Sequence, residues 1–99
     1  MKKIILLCAG GMSTSILVNN MKKAAVSQNE EFTIAAYAVD SAKEVASDAD
    51  CVLLGPQVDY RKEEVKQIIS CPVTTIDMMT YGMMDGKKAL QQALDIMRG

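Results

Sequence analysis

Residues 4–15 read Ile4-Ile5-Leu6-Leu7-Cys8-Ala9-Gly10-Gly11-Met12-Ser13-Thr14-Ser15. Four aliphatic residues in a row leave no polar face, the pattern of a strand covered on both sides. Gly10 and Gly11 break the strand, and Ser13 to Ala25 then reads as a helix, with Leu17, Met21 and Ala24 at helical spacing. Asn19, Lys22 and Lys23 fall on its outer face. A doubly covered strand that enters a helix through a glycine turn is the opening of a βαβ unit, so the rest of the chain is read for repetition of that unit.

The repetition is there. Phe32 to Val39 reads as a second strand, Cys51 to Leu54 as a third stopped by Gly55-Pro56, and Pro72 to Ile76 as a fourth. Ser41-Ala42-Lys43-Glu44 has the spacing of a capping box and predicts a short helix that ends near Ser47 to Asp50. Asp59 to Ile69 predicts a helix with Val65, Ile68 and Ile69 inward. Asp85 is placed to cap a last helix whose inner stripe is Leu90, Ala93, Leu94 and Met97. The order βαβαβαβα predicts an α/β fold: a four-stranded parallel sheet, strand order 2-1-3-4, with helices on both faces, flavodoxin-like. No linker, repeat or low-complexity segment interrupts it, so residues 1–99 are expected to form a single domain.

Composition narrows the function. Of the 99 residues, 49% are apolar and 23% charged, the balance of a soluble globular protein. Eleven basic and twelve acidic residues leave a net charge of -1, so no global field draws in nucleic acid or an anionic membrane. No apolar run approaches the ~18 residues of a membrane span. Lys2 and Lys3 before the first apolar run resemble a signal peptide only faintly. That run is shorter than the roughly 7–15 residues of a signal core, and the segment reads as mature protein. The chain has no histidine, which removes histidine bases, imidazole metal ligands and histidine phospho-carriers from its own chemistry. It has no tryptophan, three tyrosines and one phenylalanine, too few for a base-stacking platform. Cys8, Cys51 and Cys71 are odd in number and lack paired spacing, which fits neither a disulfide framework nor a CxxC metal knuckle and points to a reducing cytoplasm. No cluster of residues calls for a metal, and no cofactor is expected.

In an open parallel sheet the site lies outside the carboxyl ends of the strands, where strand order reverses. That crevice falls between the first and third strands. The loop Cys8 to Ser15, the loop Gly55-Pro56-Gln57 and the segment Asp77 to Gly86 all border it. In the first loop, the glycines let successive amides turn inward as an anion nest, and the following helix adds free N–H groups and its positive end. The hydroxyls of Ser13, Thr14 and Ser15 supply further donors. The result is a cradle for a tetrahedral oxyanion with a sulfur nucleophile, Cys8, at its start, in surroundings that favour the thiolate. No lysine follows the glycines, so this is not a Walker loop. Cys51 opens an apolar strand and Cys71 lies at the opposite edge, and neither is expected to do chemistry.

Three readings fit such a cradle: a phosphoryl carrier, a hydrolase or reductase related to phosphatases, and a regulatory module that binds an anion without covalent chemistry. Low-molecular-weight tyrosine phosphatases use C-x5-R-S/T. Counted from Cys8, the arginine position is Thr14, followed by Ser15, and the loop holds no arginine. Asp59, Asp77 and Asp85 are acids by position alone.

The loop from Cys8 to Ser15 resembles the C-S-A-G-M-S-T-S loop of the IIB components of the bacterial sugar phosphotransferase system, lactose/cellobiose/chitobiose type. Val52-Leu53-Leu54-Gly55-Pro56-Gln57-Val58 is similar to that family's V-L-L-G-P-Q segment. Ile76-Asp77 with Tyr81-Gly82-Met83-Met84-Asp85-Gly86 is similar to its I-D…Y-G-x-x-D-G stretch. The three blocks occur in order and span nearly the whole chain. Ala9 and Gly10 depart from the family's usual serine and alanine, which removes one hydroxyl donor and leaves the nucleophile. The resemblance implies a cytoplasmic phosphotransferase with a phosphocysteine intermediate. Cys8 would accept a phosphoryl group from phosphohistidine of a IIA partner and pass it to a sugar of the cellobiose, chitobiose or lactose class at a membrane IIC component. Ala9, Gly10, Gly11, Met12, Ser13, Thr14 and Ser15 would form the phosphoryl-binding loop, with no metal.

Five of the eight methionines, Met12, Met78, Met79, Met83 and Met84, fall in the two loops at this edge. Methionine repacks readily against different surfaces, which suits a rim that meets two unlike partners. Gln57, Asp77 and Tyr81 are the polar groups expected beside Met83 for partner docking or for support of the loop.

Overall fold

The computed structural model describes residues 2–9 and 13–98; the side chain of Ser13 falls outside that description. The strands are β1 (Lys2–Cys8), β2 (Phe32–Ala38), β3 (Cys51–Leu54) and β4 (Val73–Thr75). They form one parallel sheet in the order β2-β1-β3-β4, as the alternation predicts. Ile4 pairs with Ile34 on one side and Cys51 on the other, while Leu54 pairs with both Leu7 and Thr75.

The central strands bury both faces because their aliphatic runs are unbroken. Along β1, Ile4 and Leu6 enter one cluster with Cys51 and Leu53; Ile5 and Leu7 enter the other with Val52 and Leu54. This is the period-two alternation of a pleated strand. Helices α1 (Ser13–Ser27) and α5 (Gly86–Met97) cover the first face, with Leu17, Met21, Leu90 and Ala93 fully enclosed. On the second face lie α2 (Ala42–Val45) and α3 (Lys62–Ile68), contributing Ala42 and Val65. Full burial of one such aliphatic side chain contributes about 1.5–3 kcal/mol, so each central strand is a major source of stability.

Some local expectations need correction. Ser41 makes no capping hydrogen bond. It closes a 3₁₀ turn, Val39–Ser41, with φ -91 and ψ 5, instead of the extended conformation that lets a cap side chain reach back to the helix. Helix α2 accordingly stops at Val45. The helix expected from Asp59 begins as a 3₁₀ segment, Pro56–Arg61, and becomes α-helical only at Lys62. Ile68 is 47% exposed. The helix ends there and Ile69, in extended conformation, turns into the core in its place. The fourth strand is the short core of the expected segment. A further helix, α4 (Met78–Gly82), occupies what the pattern left as a loop.

Candidate functional site

Cys8 ends β1, the strand at which the order reverses, with β2 on one side and β3 on the other. Its residue is 5% exposed. The Sγ–H donates to the carbonyl of Tyr37 at 3.7 Å, a weak bond set by the register that lays Leu7 beside Tyr37. Gly55 follows β3 and donates its N–H to the Leu7 carbonyl at 2.8 Å. A Cβ on Gly55 would lie 3.7 Å from Cys8 Cβ and 3.2 Å from Gln57 Oε1. The glycine thus lets the cysteine on one side and the Gln57 side chain on the other approach its backbone closely. Its φ of -65 is open to any residue, so space rather than backbone conformation is what this position supplies.

Gly10, Gly11 and Met12 lie outside the described residues, as does the Ser13 side chain, and with them the proposed anion nest. Ala9 is exposed beyond the end of β1, and Ser15 is exposed in the first turn of α1. Thr14 is turned inward, 2% exposed, with Oγ1 3.3 Å from the Tyr81 hydroxyl. Position 14 is where a phosphatase of the C-x5-R type would present its arginine; here it faces the core.

The third segment divides by role. Asp77 accepts hydrogen bonds from the amides of Met79 and Thr80 and so caps α4. Asp85 accepts from Lys88 N and caps α5, as the sequence predicts. Asp59 accepts from the Thr75 hydroxyl. Each of the three positional acids is therefore engaged in holding an element. Tyr81 lies behind the site, 8% exposed within the first-face cluster. Met78, Met79 and Met83 are exposed, whereas Met84 packs partly inward against that cluster. Tyr37, Tyr60 and Ile16 are exposed in segments at the same edge. Neither Tyr60 nor the Tyr37 carbonyl stood out in the sequence. An isolated tyrosine in a polar stretch has no pattern, and a carbonyl partner is created only by strand register.

The other cysteines sit apart, at the amino-terminal edge. Burial pushes the Cys51 thiol up to about 12, with Cys71 and Asp50 adding to the effect. Burial also raises the Cys71 thiol. Among the described residues no group of three or more His, Cys, Asp or Glu side chains could hold a metal ion. No helix among them is long and apolar enough to cross a membrane. A cavity of about 420 Å³ lined by Lys2, Phe32, Leu94 and Arg98 lies at the amino-terminal edge, away from Cys8.

Residues 3–92 match the family described as the lactose/cellobiose-specific IIB subunit of the PTS system. The chain is 51% identical to the oligo-beta-mannoside-specific EIIB component of Bacillus subtilis, over 98% of this chain and 97% of that protein. It is similar to the solution structure of a cellobiose-specific phosphotransferase IIB component from Borrelia burgdorferi, with TM-score 0.81, 38% identity, and coverage of 98% of this chain and 92% of that one. The fold is also that of a lactose-specific IIB domain from Streptococcus pneumoniae, with TM-score 0.84 at 23% identity, covering 96% of each chain.

Proposed function

Because the chain belongs to the lactose/cellobiose-specific IIB subunits of the sugar phosphotransferase system, we propose that it carries a phosphoryl group on Cys8. The group comes from a phosphohistidine of a IIA protein and goes to a sugar held by a membrane IIC component. Membership in the family makes the chain a phosphotransferase component of sugar uptake; the residue, donor and acceptor are the proposal. The observation that carries it is the position of Cys8 at the strand-order reversal, packed beside Gly55 and ahead of the start of α1.

In the first transfer the phosphorus–nitrogen bond of phosphohistidine breaks and a phosphorus–sulfur bond forms at Cys8. If the sulfur begins as a thiol, its proton ends on the departing imidazole. In the second, the phosphorus–sulfur bond breaks with the electron pair left on sulfur, a sugar hydroxyl oxygen takes the phosphoryl group, and that hydroxyl's proton returns Cys8 to its thiol. A carrier must hold the group without activating water. A loop of amides and hydroxyls with no arginine suits that task, since an arginine clamp would lower the barrier to hydrolysis as well as to transfer. The backbone amides of the loop from Ala9 to Ser15 then balance charge in both states.

Two surfaces must dock at one edge in turn. Six exposed apolar side chains, Ile16, Tyr37, Tyr60, Met78, Met79 and Met83, belong to segments at the carboxyl edge, which supports docking there. In this reading the whole chain acts as one cytoplasmic domain, and the sugar, of the cellobiose, chitobiose or lactose class, is selected by the IIC component. The test is sugar phosphorylation reconstituted from a phosphorylated IIA protein, this protein and IIC membranes. Cys8→Ser is expected to abolish it, while Cys51→Ala and Cys71→Ala retain it. Sugar phosphorylation at the wild-type rate by Cys8→Ser would remove Cys8 from the mechanism.

A further inference from the structure

We infer that Tyr81 is a positioning residue for phosphoryl transfer, acting through Thr14 on the first turn of α1; the inference rests on the reading of Cys8 as the phosphoryl carrier. The first amides of a helix have no partners within it and form its positive end. Their use at Cys8 depends on where the start of α1 is held, and transfer chemistry is sensitive to displacements of about an ångström. Thr14 is the second residue of α1, almost fully enclosed, and its hydroxyl meets the Tyr81 hydroxyl across 67 positions of sequence.

The tyrosine stands on a rigid base. At the start of α4, Asp77 caps the Met79 and Thr80 amides. At its end, Met84 N donates to Tyr81 O at 3.1 Å and Asp85 N to Thr80 O at 3.0 Å. With Met84 at φ 53, this is the paired bonding of a Schellman motif. The turn is then fastened to the middle of α1. Asn20 Nδ2 donates to the Met84 carbonyl at 2.8 Å, and a Cβ on Gly86 would lie 2.2 Å from the Asn20 carbonyl carbon. The segment Tyr81 to Gly86 therefore grips α1 at Thr14, Asn20 and Met21, fixing both the place and the tilt of its amino-terminal end. Because Tyr81 is buried, this role differs from docking: it bears on the chemical step and leaves partner affinity alone.

The experiment is single-turnover transfer from an excess of a phosphorylated IIA protein of the lactose/cellobiose type, read by quenched intact mass on variants held well below their melting temperatures, with the limiting rate and the half-saturating IIA concentration standing as kcat and KM. Tyr81→Phe keeps the ring and loses only the hydroxyl; Thr14→Val loses the other partner. Each is expected to lower kcat about five- to tenfold, the size of one lost buried hydrogen bond expressed in the transition state, with KM for the IIA protein unchanged. The double variant is expected to lose less than the two single losses combined, because both remove the Thr14–Tyr81 contact. Thr14→Ser is expected to restore most of the loss. Wild-type kcat in Tyr81→Phe, a change confined to KM, or additive losses in the double variant would each overturn the inference while the Cys8 reading stands. A wild-type protein that takes up no phosphoryl group overturns both. Should Tyr81→Phe not fold, Thr14→Val against Thr14→Ser decides by the same kcat.

Discussion

Cys51 and Cys8 show how one residue type is placed at opposite ends of neighbouring strands. Cys51 is fully enclosed at the start of β3 among Ile4 and Leu53, and burial raises its thiol from 9.0 to about 12. A thiol raised in the folded state is protonated there at pH values where the unfolded chain has already ionised. Its contribution to stability is complete below about pH 9 and is lost as pH rises toward about 12. Cys71, raised by burial too, adds in the same direction. Urea unfolding at about pH 8 and about pH 10.5 is expected to show a smaller loss of stability in Cys51→Ala than in the wild type. An equal loss in both would show that Cys51 ionises as readily folded as unfolded. Nothing in the sequence separated Cys8 from Cys51 by residue type. Position along the strand did, since one closes an apolar run and the other opens one. The Tyr37 carbonyl and the Thr14–Tyr81 pair were out of reach, because each is a partnership made by register or packing across distant segments.

At the scale of elements, the long periodic segments announced themselves and the short ones did not. β1, β3, α1 and α5 carry unbroken apolar runs or inner stripes, and the structure keeps them close to where the pattern puts them. Helix α4 is only five residues long, with Met78 and Met79 outward, so no periodicity marks it; Asp77 as its cap was the available sign. The Ser41 box misled because a 3₁₀ turn already occupies the residues before α2. Packing between elements has its own requirement at Gly86, the first residue of α5. There a Cβ would come within 2.5 Å of the Asn20 carbonyl oxygen and Met21 nitrogen of α1. These are backbone atoms and cannot turn aside. Gly86→Ala is expected to push α5 off α1 and lower stability by about 3 kcal/mol, seen as a lower urea midpoint with an unchanged m-value. A midpoint within error of the wild type would mean that the two helices separate without cost.

For the whole molecule, the sheet gathers the candidate site at one edge and the raised thiols at the other. The carboxyl edge holds Cys8, Gly55 and Gln57 together with the exposed methionines of α4 and the turn after it. The amino-terminal edge holds the two raised thiols and the Lys3–Asp48 ion pair. The grouping of these loops was legible because parallel strands carry all their carboxyl ends to one side, so the topology alone brings the loops together. If the apolar rim serves docking, Met79→Ser with Met83→Ser will raise KM for the IIA protein roughly tenfold with kcat near wild type, the opposite split from Tyr81→Phe. A KM equal to the wild type's would remove the rim from partner recognition. The central claim is tested most directly by the site of the covalent intermediate: intact mass and peptide mapping after brief incubation with a phosphorylated IIA protein. The account predicts one added phosphoryl group, on Cys8 and absent from Cys8→Ser. A phosphoryl group on any other residue, or none on a folded protein that still supports sugar phosphorylation, would contradict it.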